Sequence, residues 1–248
     1  MLKRAVFVGG LIAFVVMTTT WLWLQSAPLT KIERGGQGPP TVVLLHGYGS
    51  RGEDWFQFDG KWQFPDRTRL IFLQAPLRHP ISGKRGWWWL HLEGYIPNGQ
   101  QSPDLSRASP GGIKVASRLV RDAIRDEHQP LILGGFSQGA MTCAEIAFQT
   151  DQELAGLILL SGTTVNEESW AEHFAGRRNL PIFIAHGTHD SVLPFAIMDR
   201  FQRRLKTFGL NVTWMPFEGD HEIPETVVRA AGEFVRRVVG LQSSSENP

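Results

Sequence analysis

The sequence predicts an α/β fold with a mostly parallel central sheet and helices on both faces. Three observations point there. Strand-like apolar runs recur at 41–45, 69–73, 131–135, 156–160, 181–185 and 211–216. Segments with helical apolar spacing alternate with them, the pattern of a parallel sheet crossed by helices. The chain has 248 residues, 42% of them hydrophobic, enough for one sizeable core in a single α/β domain.

Taken in order, the chain opens with Lys3-Arg4 followed by an uncharged, mostly apolar stretch at 5–24. Twenty helical residues reach about 30 Å, the thickness of a bilayer's hydrocarbon core. Residues 1–24 therefore read as a transmembrane anchor, with Trp21 and Trp23 at the far interface and Lys3-Arg4 kept in the cytoplasm. A cleaved signal peptide is the alternative, although the run is longer than a usual apolar region of about 7–15 residues. The first reading anchors the folded domain outside the cytoplasm, in a periplasm or at a cell surface; the second secretes it. Residues 25–40, with Gly35-Gly36 and Pro39-Pro40, look like a tether holding one short strand at 29–33. The folded domain is expected at 41–240.

Within it, residues 51–64 carry Trp55, Phe56, Phe58, Trp62 and Phe64. Residues 78–109 carry Trp87-Trp88-Trp89 and little regular pattern, and a loop of that length in a compact domain is often functional. These aromatics are expected to form a substrate groove or an apolar rim, with packing over the sheet edge as the alternative. Ser109-Pro110 predicts a capped helix start, with Ile113, Ala116, Val120 and Ile124 on its buried face. A second helix follows Pro194, presents Met198, Phe201 and Leu205, and stops at Gly209. The last helix buries Val227, Val228, Ala231, Phe234, Val235 and Val238, and residues 241–248 read as a disordered tail.

Chemistry enters at the third strand run, which leads into Gly135-Phe136-Ser137-Gln138-Gly139. G-x-S-x-G between a strand and a helix marks a sharp turn that exposes a serine hydroxyl, the nucleophile elbow of α/β-hydrolases. Gly135 and Gly139 leave out the Cβ atoms that would crowd it. The motif predicts covalent acyl transfer with an acid and then a histidine downstream. Both follow: Asp190 lies just past the run at 181–185, and His221 just past the run at 211–216. Ser137 is expected to attack the acyl carbonyl, His221 to take and return its proton, and Asp190 to orient the imidazole. Asp220 and Glu222 flank His221 and are rival acids, disfavoured because adjacent side chains rarely face a neighbour's ring. His186 and His189 flank Asp190 and read as structural or rim residues. His46-Gly47-Tyr48-Gly49 follows the first strand run, so the backbone N–H groups of Tyr48 and Gln138 are the expected oxyanion donors, with His46 bracing the loop.

The segments Leu45-His46-Gly47-Tyr48-Gly49, Gly135-Phe136-Ser137-Gln138-Gly139-Ala140 and His186-Gly187-Thr188-His189-Asp190-Ser191-Val192-Leu193-Pro194 resemble the phospholipase/carboxylesterase family. This is the acyl-protein-thioesterase-like, lysophospholipase-like branch of the α/β-hydrolases. The likeness covers about residues 40–240. It implies an α/β-hydrolase fold and an intracellular-type carboxylesterase, thioesterase or lysophospholipase with no cofactor and little or no lid. Four features depart from the family pattern. Ser50 stands where an acidic residue is usual, and Asp220 stands where Gly commonly precedes the histidine. The tryptophan segment is expanded, and the apolar N-terminal segment is extra.

Other residues narrow the classes. The net charge of +1 gives no basic field for nucleic acid. The single cysteine, Cys143, excludes an internal disulfide and reads as a small packing residue. The histidines form no recognisable metal motif. The expected partner is a small-molecule or lipid acyl ester or thioester, gripped by Trp87, Trp88, Trp89 and Leu193, with a membrane contact through the N-terminal segment. The alternatives are a lipid deacylase at a membrane surface, a peptidase on the same fold, and a catalytically silent tethered binding module.

Overall fold

A computed structural model describes residues 28–79, 82–88 and 101–245. Seven strands form one sheet: β1 (Lys31–Gly35), β2 (Gly38–Leu45), β3 (Thr68–Leu73), β6 (Leu131–Phe136), β7 (Gly156–Leu160), β8 (Ile182–Gly187) and β9 (Val212–Phe217). Their spatial order is β1-β3-β2-β6-β7-β8-β9. All neighbours pair in parallel except β1, which runs antiparallel to β3. Two short strands, β4 (Leu77–Arg78) and β5 (Arg85–Gly86), make a separate ladder. The fold is thus the expected α/β-hydrolase architecture, a mostly parallel sheet with helices on both faces.

Side-chain alternation divides the core between the two faces. Val43, Leu45, Leu131 and Leu133 face one cluster with the helices α1 (Ile113–Ile124), α2 (Gln138–Gln149), α3 (Glu167–Ala171) and α4 (Phe195–Thr207). Val42, Leu44 and Ile132 face the other, with the 3₁₀ segment Gly52–Phe58 and the apolar face of α5 (Glu225–Ser245). Neither face of the middle strands meets water, which is why their sequences are unbroken apolar runs. Every residue of α2 from Gln138 to Phe148 is buried, and Cys143 packs there as a free thiol that burial makes harder to ionise.

Four expectations need correction. The short strand expected at 29–33 is present as β1, but the stretch 25–40 is more than a tether because β1 is paired into the sheet and β2 also starts there; α5 extends to Ser245 into the stretch expected to be disordered. Helix α1 begins at Ile113 rather than beside Ser109-Pro110. Gly112 takes φ +95°, a left-handed turn that a helical residue cannot share, so the helix starts only after it; a Cβ on Gly112 would also lie 3.2 Å from Trp88 Cβ. The last correction concerns the tryptophans. Trp87 and Trp88 are 2% and 0% exposed and belong to the core beneath the loop. Trp55 and Trp62 are buried too, with Trp55 stacked on Phe72 and Trp62 on Phe64. Trp87, Trp88 and Trp62 pack over the sheet and do not open an aromatic groove, whereas Trp55 and Phe58, though buried, also line the cavity beside His221. Trp89 lies outside the described residues.

Candidate active site

The loops after β2, β6, β8 and β9 meet at the C-terminal edge of the sheet, where open parallel sheets place their sites. Ser137 sits between β6 and α2 at φ +54°, ψ −119°, a strained conformation for a residue with a Cβ. Its N–H donates to Leu160 C=O (2.9 Å). The turn tolerates nothing larger than glycine on either side. A Cβ on Gly135 would lie 2.5 Å from the Gly139 carbonyl carbon, and one on Gly139 would lie 2.2 Å from Leu45 O.

Three side chains predicted from separate segments converge. His221 Nε2 lies 3.0 Å from Ser137 Oγ, and His221 Nδ1 lies 2.8 Å from Asp190 Oδ2. The imidazole is held in place by Phe136, whose ring centre lies 4.8 Å away. Asp190 is fully buried, and its Oδ1 accepts the N–H groups of Val192 (2.9 Å) and Leu193 (2.8 Å). Leu193 therefore serves the site through its backbone, its side chain being buried in the core. Burial alone would raise the Asp190 pKa, but hydrogen bonds from His186, His221 and Leu193 outweigh it and hold the carboxyl well below the usual carboxylate range.

Asp220 is turned away from the imidazole. Its Oδ1 accepts Ser191 N–H (2.6 Å) and its own neighbour's N–H at His221 (2.7 Å), and its Oδ2 accepts Ser191 Oγ–H (3.1 Å). It thus stitches the acid loop to the histidine loop. Further stitches run from Thr188 N–H to Phe217 C=O (2.8 Å) and from His189 N–H to Gly219 C=O (3.0 Å). Gly187 permits this approach, since a Cβ there would lie 2.3 Å from Asp220 O. The Asp220 side chain is accommodated there because it caps loop N–H groups.

The loop after β2 runs beside the serine: a Cβ on Gly47 would lie 3.2 Å from Ser137 Cβ. His46 is buried and braces the loop, as expected. Its Nε2 accepts Ala75 N–H (3.1 Å), so the ring proton is on Nδ1 and is donated to Gly47 C=O (2.8 Å). Burial lowers its pKa. The Tyr48 ring and the Gln138 amide both pack on Gly86, where a Cβ would lie 2.9 Å from Tyr48 Cδ2 and 3.3 Å from Gln138 Oε1. Gln138 opens α2, so its N–H is among those left without an intrahelical acceptor.

One contribution escaped sequence reasoning. The Gln138 side chain accepts Trp87 N–H and donates to Trp88 C=O, both at 2.9 Å, while Trp87 Nε1–H donates to His46 C=O (2.8 Å). The tryptophans thus lock the loop after β5 to the serine turn from beneath. A cavity of about 300 Å³ opens beside His221, lined by His46, Ser50, Asp54, Phe136 and Glu222 among others. Among the described residues, no group of three or more His, Cys, Asp or Glu side chains could hold a metal ion.

Acid should loosen this arrangement. Asp190 is held below the usual range, and Asp104, despite some burial, is lowered to about 2 by hydrogen bonds from Arg200 and Ser106. A depressed carboxylate contributes stability that is complete above its unfolded pKa of about 3.9 and is lost as pH falls through its folded value. Thermal melts should therefore show Tm lower at pH 3 than at pH 6; an unchanged Tm would mean that these carboxylates are no better held folded than unfolded.

Comparison with known proteins assigns the family. The model of the phospholipase/carboxylesterase family matches residues 31–239. An acyl-protein thioesterase 1 from Yarrowia lipolytica is 28% identical over 204 residues, covering 77% of this chain and 88% of its own length. The crystal structure of esterase PE8 superposes with a TM-score of 0.71 at 25% identity, covering 86% of this chain and all of that one. Acyl-protein thioesterase 2 from Zea mays gives 0.67 at 21% identity, covering 85% of this chain and 99% of that one, and shows the shared fold. The chain belongs to the phospholipase/carboxylesterase family of the α/β-hydrolases. It is a hydrolase of carboxylic esters or thioesters.

These findings correct the expected location. Relatives aligning with most of the chain are acyl-protein thioesterases, and no helix among the described residues is long and apolar enough to cross a membrane. The anchored, extracytoplasmic placement is therefore withdrawn; residues 1–24, on which it rested, lie outside the described residues. The catalytically silent tethered module finds no support either.

Proposed function

We propose that this protein hydrolyses acyl esters and thioesters through an acyl-enzyme on Ser137. The observation that carries the reading is the unbroken relay from Ser137 Oγ through His221 to a buried Asp190, at 3.0 and 2.8 Å. In this reading His221 Nε2 takes the Ser137 proton as Oγ attacks the acyl carbon, and Asp190 holds the ring with its Nδ1–H paired and stabilises the imidazolium. The negative oxygen is met by the N–H groups of Tyr48 and Gln138. His221 then protonates the departing alcohol or thiol, which we place in the cavity beside its ring. Water, activated by His221, releases the acid. The acyl-protein thioesterase relatives make a thioester the leading natural bond.

The test uses the full chain with p-nitrophenyl esters from acetyl to palmitoyl, matched acyl thioesters, and a fluorophosphonate label followed by peptide mapping. The expected result is turnover of both series with the label on Ser137. A folded protein that cleaves neither series, or that carries the label elsewhere, would overturn the proposal.

A further inference from the structure

We propose that His186 is a positioning residue for Asp190, its Nε2–H set against the carboxylate oxygen that also receives His221. The inference rests on the role proposed for Asp190 above. His186 lies at the end of β8, fully buried and four residues before Asp190. Its Nε2 is 3.0 Å from Leu193 O and 3.2 Å from Asp190 Oδ2. Leu193 O can only accept, so Nε2 must carry a proton, which then lies between two acceptors. Nδ1 is buried and has no hydrogen-bond partner among the described residues. A proton placed there instead would be a buried N–H without an acceptor, so the ring proton belongs on Nε2. Phe195 of α4 closes the site edge-on, its ring centre 6.1 Å away.

Two imidazoles therefore share Oδ2, while the N–H groups of Val192 and Leu193 share Oδ1. The titratable groups facing the carboxylate are His186 from β8, and His221 and Asp220 from the loop after β9. His186 does two things in this arrangement. It fixes the rotation of the carboxylate, and it withdraws charge from Oδ2, making Asp190 a weaker base toward His221. Without that donor, Oδ2 is more basic, the His221 imidazolium is more stable, and the acidic limb of kcat/KM moves to higher pH.

The experiment compares the full chain with His186→Leu, which removes the donor, and His186→Gln, which keeps a side-chain N–H. For the Leu variant the acidic limb should move up by about half a pH unit or more and kcat should fall about tenfold; the Gln variant should keep the limb in place and lose about threefold or less. An unshifted limb in the Leu variant, or equal losses in both variants, would overturn the proposal and leave His186 a packing residue. As a reading that does not depend on how either variant folds, ¹⁵N-histidine spectra of the unmutated protein should show His186 as the Nε2–H tautomer. An Nδ1–H tautomer would overturn it. That spectrum reads His186 even if no ester is turned over, so failure of the hydrolytic reading and failure of this one remain distinguishable.

Discussion

Replacing Ser137 by alanine is expected to lower kcat by at least about 10⁴-fold while leaving the fold intact. The hydroxyl is the group aligned with His221 Nε2 at 3.0 Å, and alanine removes it. Asp190→Asn should lose about 10³–10⁴-fold, because an amide in that buried position no longer selects the Nδ1–H tautomer of His221. The two losses should not add in the double variant, since residues that act as one unit fail together. Thermal melts run beside the kinetics separate this from unfolding. A Ser137→Ala protein retaining more than a hundredth of wild-type kcat would remove the serine from the mechanism.

Gly232→Ala is expected to carry the largest stability penalty. Gly232 lies mid-helix in α5, and a Cβ there would fall 1.5 Å from the Trp62 carbonyl oxygen. Backbone cannot step aside as the tip of a flexible side chain can, so α5 must back away from a face holding Trp55, Trp62, Val228 and Phe234. Overpacking of this kind typically costs about 1–3 kcal/mol, and the backbone clash points to the upper end. For a domain of this size, about 3 kcal/mol corresponds to a fall in Tm of about 6–12 °C. An unchanged Tm would show that α5 does not rest on the 62–64 turn.

The same helix illustrates what a sequence can and cannot reveal. The apolar spacing of Val227, Val228, Ala231, Phe234, Val235 and Val238 was legible, and all six are buried. That Gly232 was needed for a contact with a residue 170 positions earlier was not, because spacing within one element is silent about its partners. The site divides in the same way. Ser137, Asp190 and His221 could be read because each follows an apolar run in an order the chemistry demands. The side-chain hydrogen bonds of Gln138 to the Trp87–Trp88 backbone, and the Asp220 clamp on Ser191, join segments far apart and left no local mark. The tryptophans misled for a related reason. A large apolar residue in an irregular loop is equally compatible with a rim and with a core, and only three-dimensional packing decides between them. Likewise the short strand expected at 29–33 gave no sign of its place in the sheet, because its side chains are mostly exposed and its position comes from pairing with β3.

His221 follows β9, the outermost strand of the sheet, whose residues from Val212 to Met215 are only half buried, whereas Ser137 stands on β6 near the middle. With His221 serving Ser137 as proposed, the working range of the enzyme is bounded by its periphery. Warming that frees β9 while β2, β6 and β7 remain paired would silence turnover in a molecule that still gives a largely native far-ultraviolet spectrum, because outer elements open at lower free energy than the core. Activity would then behave as a sensor of the sheet's margin, and tightening the β8–β9 seam would raise the temperature of half-inactivation more than equal reinforcement of the core.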